Sequence, residues 1–347
     1  MLVSLGGLGI EHIESETFAL SDYQPKLFLY RPLKIQRVYQ YSKSGEIIEY
    51  KSGKDYEVNY INGTIRRTEN SSIPDYTEHT VLYDKDGNFS FSSEPRNPEL
   101  NIEYQVLVDY TTFFSPLRSV SPRKGLEKTI LKLKSGEDVK ILLCGDSIAA
   151  GAQTTGLYYY DDHMKTTFFG LTDSFIEDNY DVNCDAVLYG EDGTSLQFMM
   201  DNIEKIVAEQ PDMVMFEFGM NDHLGADAMN RTDKFREDLS YCVTFLKDSK
   251  IDVLLIGFFQ QNTDWVEENQ EATKAYNNVI EEVAREHNVP FADVYTKWQS
   301  IARKMMIEDM TSDYMHHPTD FGHKVYFSEI VPFFMEKEMR SVRNYLY

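Results

Sequence analysis

Ser147 is the residue whose position most directly suggests chemistry. It follows a short apolar run that ends in Gly145-Asp146-Ser147, and small residues (Ile148-Ala149-Ala150-Gly151) come next. The run has the length and composition of a buried parallel strand, and catalytic groups in open α/β sheets lie just past the carboxyl ends of such strands. A serine at this point can expose its Oγ at the mouth of the sheet. It becomes a nucleophile when a base accepts its proton.

Two later blocks offer hydrogen-bond donors in addition to the backbone N–H of Ser147. Gly193 lies in the block 189–195 directly after the next predicted strand, and it can turn its N–H inward because it has no Cβ. Asn221 lies in Gly-Met-Asn-Asp after the strand predicted over 213–218, and its side-chain amide can donate. Placed donors of this kind stabilise the oxyanion of acyl transfer. The sequence therefore predicts an oxyanion hole formed by Ser147, Gly193 and Asn221, and we expect the adjacent Asp222 to be structural.

A histidine base is expected from the run 313–318, which precedes the last predicted helix. That helix is predicted over about residues 322–345, with Pro332 as the point where it kinks or splits. The four blocks, in this order, resemble the SGNH branch of the GDSL esterase and lipase family over about residues 138–345. In this resemblance Ser147 matches the nucleophile, Gly193 and Asn221 match the oxyanion-hole residues, and the His before Pro matches the base. The resemblance implies ester hydrolysis through an acyl-serine intermediate on a flavodoxin-like sheet. It also implies that no metal and no organic cofactor takes part.

The last block departs from the family pattern at one position. The family usually has Asp three residues before the His that precedes Pro, and here that position is Tyr314. Either His317 is the base and Asp313 reaches across one extra residue, or His316 is the base with Asp313 at the usual spacing. A backbone carbonyl that orients the imidazole is a third arrangement. We favour His317, because Pro318 restricts it to an extended conformation over the site, and keep His316 as a candidate for substrate binding.

Two aromatic residues are further candidates for substrate binding. Tyr158, in a run of three tyrosines after the nucleophile, is placed to line a wall on which a sugar ring stacks. Trp265 follows the fourth predicted strand of the α/β part. Ordinary packing is the alternative for both, since aromatic side chains bury well anywhere. The nearby run 161–163 (Asp-Asp-His) does not predict a metal site, because three adjacent residues cannot all face one ion on a regular element.

The remaining pattern divides the chain into a β part and an α/β part. Short alternating runs, including strands predicted over 28–30 and 80–83, indicate an N-terminal all-β sandwich of jelly-roll type over residues 1–125. Asn62-Gly63 indicates a hairpin with a type I′ turn. Residues 126–137 are predicted to be a linker. From 138 to 347 strand-like and helical runs alternate, which predicts an α/β fold with a flavodoxin-like, doubly wound parallel sheet.

Composition limits the classes of partner. The formal net charge of the 347 residues is -23, which argues against nucleic acid or an anionic membrane surface and favours neutral substrates. No apolar stretch approaches the roughly 18 residues of a membrane span. The three cysteines have no disulfide or zinc spacing. We expect a cytoplasmic protein because no signal-peptide pattern is present, although a chain trimmed at its N-terminus would look the same; the sequence leaves homo-oligomerisation open.

The expected substrate follows from the same resemblance. SGNH proteins with an added β-sandwich resemble carbohydrate O-acetyl esterases, so we expect an O-acetyl esterase acting on a small-molecule or oligosaccharide ester. One alternative is a lysophospholipase- or thioesterase-like hydrolase. The other is a carbohydrate-binding protein whose hydrolase domain is silent.

Overall fold

The structure is a computed structural model that describes residues 10–79, 100–113, 122–265 and 269–335. In these ranges an all-β segment is followed by alternating strands and helices. The strands are β1 (Glu11–Ala19), β2 (Lys26–Leu27), β3 (Pro32–Tyr41), β4 (Ile47–Glu49), β5 (Tyr56–Asn59), β6 (Thr64–Arg67), β7 (Gln105–Thr112), β8 (Val139–Gly145), β9 (Cys184–Gly190), β10 (Met213–Glu217), β11 (Asp252–Ile256) and β12 (Phe291–Ala292). The α-helices are α1 (Glu127–Lys134), α2 (Thr155–Tyr160), α3 (Phe168–Tyr180), α4 (Leu196–Ala208), α5 (Thr232–Asp248), α6 (Gln270–His287), α7 (Val294–Ile301), α8 (Ile307–Met310) and α9 (Asp320–Ile330).

Strands β8 to β12 form one parallel sheet in the order β12-β11-β10-β8-β9. In chain order this is the 2-1-3-4-5 arrangement of flavodoxin-like sheets. The central strands β8, β10 and β11 are almost entirely buried, as expected for parallel strands that helices cover on both faces. The predicted α/β fold class with a flavodoxin-like sheet is confirmed.

The helices pack in two groups. Helices α4, α5 and α6 contact one another in series, whereas α9 packs against α3 and α7. When every crossover is right-handed, connections that run along the sheet in opposite directions place their helices on opposite faces. The chain runs in one direction from β8 to β9 and in the other from β9 to β10, β11 and β12, which accounts for the two groups. In α6, a stripe of residues at helical spacing is buried, and Asn269 caps the first turn by accepting from the N–H of Ala272.

The helix predicted to run from about residue 322 to 345 is interrupted at Pro332. Helix α9 ends at Ile330 and a 3-10 turn, Val331–Phe333, follows it. A proline cannot continue the hydrogen bonding of an α-helix, which explains the break. The part of this prediction beyond residue 335 lies outside the described residues.

The N-terminal part contains two antiparallel sheets, with strand orders β1-β7-β3-β4 and β2-β6-β5. The predicted N-terminal β domain is thereby confirmed, whereas its jelly-roll topology stays a prediction because the strand expected over 80–83 lies outside the described residues. The strand predicted over 28–30 is wrong: β2 ends at Leu27, and residues 28–30 are buried but belong to no strand. The hairpin around Asn62-Gly63 exists, but four residues connect β5 to β6 and only Gly63 of that pair has a positive φ, so the turn is not type I′.

The segment 126–137, predicted to be a linker, contains helix α1. This helix packs against β8, β11 and α3, so the segment is part of the α/β unit rather than a free connection. The domain boundaries themselves stay a prediction. Within the described ranges, no helix combines the length and the apolar character that crossing a membrane requires.

Candidate active site

Ser147 lies where the strand order of the parallel sheet reverses. It follows β8, which pairs with β9 on one side and with β10 on the other. Gly193 comes after β9 and Asn221 comes after β10, so the topology brings the three predicted blocks to the same edge of the sheet. Ligands of doubly wound sheets bind at this point, outside the carboxyl ends of the strands.

Ser147, His317 and Asp313 form a continuous series of hydrogen bonds. Nε2 of His317 lies 2.9 Å from Oγ of Ser147, and Nδ1 of His317 lies 2.7 Å from Oδ2 of Asp313. A hydroxyl, an imidazole and a carboxylate in this order allow the imidazole to accept the hydroxyl proton while the carboxylate fixes its tautomer. The structure therefore brings together the predicted nucleophile, base and acid, and it places His317 rather than His316 against Ser147. Their catalytic roles stay predictions.

The extra residue between Asp313 and His317 is accommodated by a left-handed backbone at Tyr314, where φ is +66°. This conformation is uncommon for an aromatic residue, and bonds on both sides hold it. Oδ1 of Asp313 accepts the backbone N–H groups of residues 315–317 at 2.8 to 3.1 Å. The Asn262 side-chain amide donates to the Tyr314 carbonyl at 2.7 Å. The tight turn returns His317 to within reach of Asp313, which explains how the departure from the family spacing preserves the contact.

Electrostatics favour a positive charge on His317. Burial lowers the pKa of this imidazole, but the Asp313 carboxylate, assisted by Asp146 and Asp192, raises it to a net value above the ordinary one. Burial raises the pKa of Asp313, yet the charge and hydrogen bond of His317 bring it down to about 2. The pair is therefore arranged to stabilise the imidazolium that forms when Ser147 loses its proton.

His316 and Trp265 pack together behind the His317 ring. The His316 and Trp265 rings are stacked with their centroids 5.0 Å apart and an interplanar angle of 10°. The His316 and His317 ring centroids are 4.1 Å apart. Burial, then the charge of His317, lowers the pKa of His316 to about 3, so its ring is neutral at ordinary pH. Trp265 is 2% exposed, and the structure thus places this predicted substrate contact in the interior, where it supports the site from behind.

The structure places Tyr158 at the contact with the N-terminal β domain. Its hydroxyl donates to Oε1 of Glu103 at 2.8 Å. The neighbouring Tyr160 hydroxyl donates to the Gly45 carbonyl at 2.7 Å. None of the hydrogen bonds or ring contacts described for Tyr158 involves Ser147 or the residues bonded to it. The tyrosine run therefore joins the two parts of the chain, and substrate binding by Tyr158 stays a prediction.

The predicted oxyanion-hole residues differ in how accessible their donors are. Gly193 has a φ of +73°, and a Cβ built there would meet no atom within 4 Å, so its surroundings are open. The Asn221 amide donates to the Thr194 carbonyl at 2.7 Å and to Oδ2 of Asp146 at 3.3 Å. Both amide hydrogens are thus engaged, so donation to an oxyanion requires one of these two bonds to break. The role of Asn221 as an oxyanion donor stays a prediction.

Asp222 caps helix α4 from outside. Its carboxylate accepts the backbone N–H of Leu196 at 3.0 and 3.2 Å, where the N-cap Ser195 makes no side-chain bond. A carboxylate at a helix N-terminus is stabilised by the exposed N–H groups there. Gly219 in the same block needs to be glycine, because its φ is +126° and a Cβ would lie 2.4 Å from the Phe258 ring. The block thus combines structural residues with the candidate donor.

Sequence reasoning missed two residues beside the site. Asn262 holds Tyr314, and Glu217 at the end of β10 is completely buried. Burial, reinforced by the charge and the hydrogen bond of Asp146, raises the pKa of Glu217 well above its ordinary value. The sequence did contain a signal for Glu217, because it is the one acidic residue in an otherwise apolar strand (Met-Val-Met-Phe-Glu). Asn262 had no comparable signal, since an Asn after a strand is common in turns.

Asp313, His316 and His317 form a group whose potential ligand atoms lie within 4.8 Å of one another. Atoms bound to a tetrahedral zinc ion at 2.0–2.1 Å would be about 3.3 Å apart. Nδ1 of His317 and Oδ2 of Asp313 are only 2.7 Å apart. The arrangement therefore fits a shared proton better than a metal ion.

The residues of the candidate site lie in a part of the chain that matches a known protein family. Residues 143–325, more than half of the chain, match the GDSL-like Lipase/Acylhydrolase family, and this span contains Ser147, Gly193, Asn221, Asp313 and His317. The chain is similar to the solved structure of Axe2, an acetylxylan esterase from Geobacillus stearothermophilus, with 17% identity, a TM-score of 0.49 and coverage of 60% of this chain and 99% of that chain. It is also similar to the lipase/acylhydrolase from Enterococcus faecalis, with 22% identity, a TM-score of 0.46 and coverage of 58% and 99%. A comparison with curated proteins gives no match.

Proposed function

The chain belongs to the GDSL-like lipase/acylhydrolase family and hydrolyses ester bonds, and from this premise we propose that Ser147 is its nucleophile and an O-acetylated carbohydrate its substrate. One observation carries the proposal for the mechanism: the series from Ser147 Oγ through His317 to Asp313, with separations of 2.9 and 2.7 Å. This geometry supports proton transfer without rearrangement of the three side chains.

In the proposed reaction, Nε2 of His317 accepts the Ser147 proton as Oγ attacks the ester carbonyl carbon. The backbone N–H groups of Ser147 and Gly193 and the amide of Asn221 donate to the oxyanion. His317 then gives the proton to the departing alcohol, leaving the acyl group on Ser147. Water attacks the acyl carbon, His317 takes the water proton, and the released Oγ regains it as the acid leaves. Asp313 stabilises the imidazolium in both halves.

The burial of the reacting groups supports a small acyl group. Ser147 is 5% exposed and His317 is 8% exposed. Residues 148–150, which follow Ser147 directly, are also buried. An acetyl group needs little more than the space of the oxyanion hole, whereas a long chain needs an apolar groove.

The charge around the site supports an ester substrate whose alcohol part is neutral. The chain carries a formal net charge of -23, and the carboxyl groups of Asp146 and Asp192 raise the pKa of His317. A phosphate-bearing lysophospholipid or coenzyme thioester would be repelled by this field. A sugar hydroxyl ester is neutral. The proposal therefore favours a carbohydrate ester over the lysophospholipase- or thioesterase-like alternative.

Acyl-chain preference tests the substrate proposal. We expect kcat/KM on para-nitrophenyl esters to be highest for acetate and to fall towards octanoate, after subtraction of the rate given by Ser147→Ala. Acetylated oligosaccharide should release acetate at a rate that depends on Ser147. A preference for octanoate would contradict the acetyl esterase and favour a lipase. A protein that neither hydrolyses any ester nor reacts with a fluorophosphonate at Ser147 would indicate the silent, carbohydrate-binding alternative.

A pH profile tests the proposed base. The base must be neutral to accept a proton, so kcat/KM should rise with pH through the pKa of His317, which lies above the ordinary 6.5. In Asp313→Asn the carboxylate that raises this pKa is lost while burial remains, so the rise should move below pH 6.5. We also expect kcat to fall about 10⁴-fold, because the amide favours the wrong tautomer. A rise at unchanged pH in Asp313→Asn would contradict the assignment of Asp313.

A further inference from the structure

The segment 311–319, here termed the base loop, carries Asp313 and His317 and is closed at its ends. Thr311 and Pro318 form an isolated antiparallel bridge. The backbone N–H of Ser312 donates to the His317 carbonyl at 2.8 Å, and the N–H of Thr319 donates to the Met310 carbonyl at 3.0 Å. Ser147 is fixed at the end of a sheet strand, but the base loop belongs to no strand. Its position relative to Ser147 depends on what holds it from outside.

Side-chain amides of the N-terminal β domain hold the start of this loop. Nε2 of Gln105 donates to the carbonyls of Thr311 and Glu308, both at 2.8 Å. Nδ2 of Asn101 donates to the same Thr311 carbonyl at 3.0 Å. The backbone N–H of Ile102 donates to the carbonyl of Ser312, the residue directly before Asp313, at 3.2 Å.

The two amides are themselves fixed. Gln105 is 2% exposed and Asn101 is fully buried. Oδ1 of Asn101 accepts the hydroxyl of Tyr76 at 2.8 Å, which sets the orientation of the amide. Buried donors in defined orientations give a rigid attachment, because breaking such a bond leaves buried polar groups with fewer partners and no water to replace them.

The β domain also anchors helix α8, which leads into the base loop. Oδ1 of Asp309 accepts the backbone N–H of Ala19 at 2.7 Å and the Lys26 ammonium at 2.7 Å. Hydrogen bonds from the β domain thus reach Glu308, Asp309, Thr311 and Ser312, which precede the candidate acid. Beyond Asp313, the ring centroid of His79 lies 6.4 Å from that of Tyr314.

We propose that the N-terminal β domain positions the base: Gln105 and Asn101 are positioning residues that hold Thr311 and thereby set Asp313 and His317 against Ser147. The inference rests on the proposed function of these three residues. In this proposal the β domain contributes to the reaction by positioning the base, rather than by binding a glycan away from the site. Proton transfer requires the acceptor to be held within a fraction of an ångström, and a misplacement of about 1 Å costs on the order of 100-fold.

The test replaces each amide side chain that donates to the base loop by an apolar side chain of similar volume. In Gln105→Met, which loses both bonds of its amide, we expect kcat to fall about 10- to 100-fold with KM within about twofold. The loosened Asp313 contact should also lower the pKa of His317, seen as a shift of the kcat/KM rise to lower pH. Asn101→Leu should give the same changes to a smaller degree. Tyr160→Phe is the matched control, since it removes an interdomain bond of 2.7 Å that does not reach the base loop.

Two measurements keep the outcome decisive. Thermal unfolding of each variant shows whether it is folded, and Gln105→Asn, which keeps an amide but shortens its reach, replaces Gln105→Met if that variant does not fold. An NMR titration of the His317 ring measures the pKa of this ring, and thereby its contact with Asp313, without requiring substrate turnover. A lower midpoint in the Gln105 variant than in Tyr160→Phe supports the inference even if the substrate proposal fails. Folded Gln105 and Asn101 variants that lose thermal stability but keep the His317 midpoint would overturn it.

Discussion

Replacement of Ser147 by alanine should lower kcat for ester hydrolysis by about a millionfold, to the residual rate that the oxyanion donors and substrate binding provide. The reason is that, among the described residues, the nucleophilic atom hydrogen-bonded to Nε2 of His317 is Oγ of Ser147. Fold and stability should hardly change, because Ser147 loses one hydroxyl. The measurement is steady-state hydrolysis of para-nitrophenyl acetate together with fluorophosphonate labelling, followed by mass spectrometry of the labelled peptide.

Ser195→Ala provides the matched control for this substitution. Ser195 precedes helix α4 in the Gly193 block, and its side chain makes no capping bond. We expect it to retain labelling at Ser147. Substantial turnover in Ser147→Ala, or label on another residue of the wild-type chain, would show that the nucleophile has been wrongly assigned.

The sequence carried enough information to predict which blocks meet. Ser147, Gly193 and Asn221 each follow an apolar run, and the sheet order places β8 between β9 and β10. Because strands of a parallel sheet end at one edge, residues that follow successive strands converge without any long-range signal in the sequence. The family pattern of the four blocks added the chemistry.

The position of the β domain could not be predicted from the sequence. Gln105 and Asn101 reach Thr311 across more than 200 residues of chain. A buried amide that donates to a distant carbonyl leaves no periodicity and no motif, and Asn and Gln are mostly exposed in proteins. The sequence pattern therefore predicted that the N-terminal part is an all-β domain, but it did not predict that this domain contacts the base loop.

The aromatic residues near the site show a second limit. Tyr158 follows the Ser147 block and Trp265 follows strand β11, yet Tyr158 bonds to Glu103 and Trp265 stacks on His316. Sequence position fixes the strand end from which a loop starts but not the direction in which a ring points. Packing decides that direction, since burial of an aromatic ring contributes more than most single polar contacts.

His317→Ala should lower kcat about as much as Ser147→Ala, and His316→Phe should lower it by about tenfold at most. Of the two histidines, His317 is the one with a nitrogen within hydrogen-bond distance of Ser147 Oγ, and its other nitrogen contacts Asp313. His316 stacks between Trp265 and His317, and a phenyl ring preserves that stacking. The pKa of His316, about 3, also makes it a poor proton acceptor at neutral pH. Parallel measurements of kcat and of the fluorophosphonate labelling rate separate the two histidines.

The double variant Ser147→Ala/His317→Ala sharpens the comparison. If His317 acts by taking the Ser147 proton, its removal costs nothing further once Oγ is absent, so the double variant should match either single one. Additive losses would mean that His317 acts elsewhere in the reaction. A loss in His316→Phe as large as that in His317→Ala would contradict the assignment and favour His316, the residue that stands at the usual family spacing from Asp313. The 2.9 Å contact to Ser147 leads us to expect the opposite.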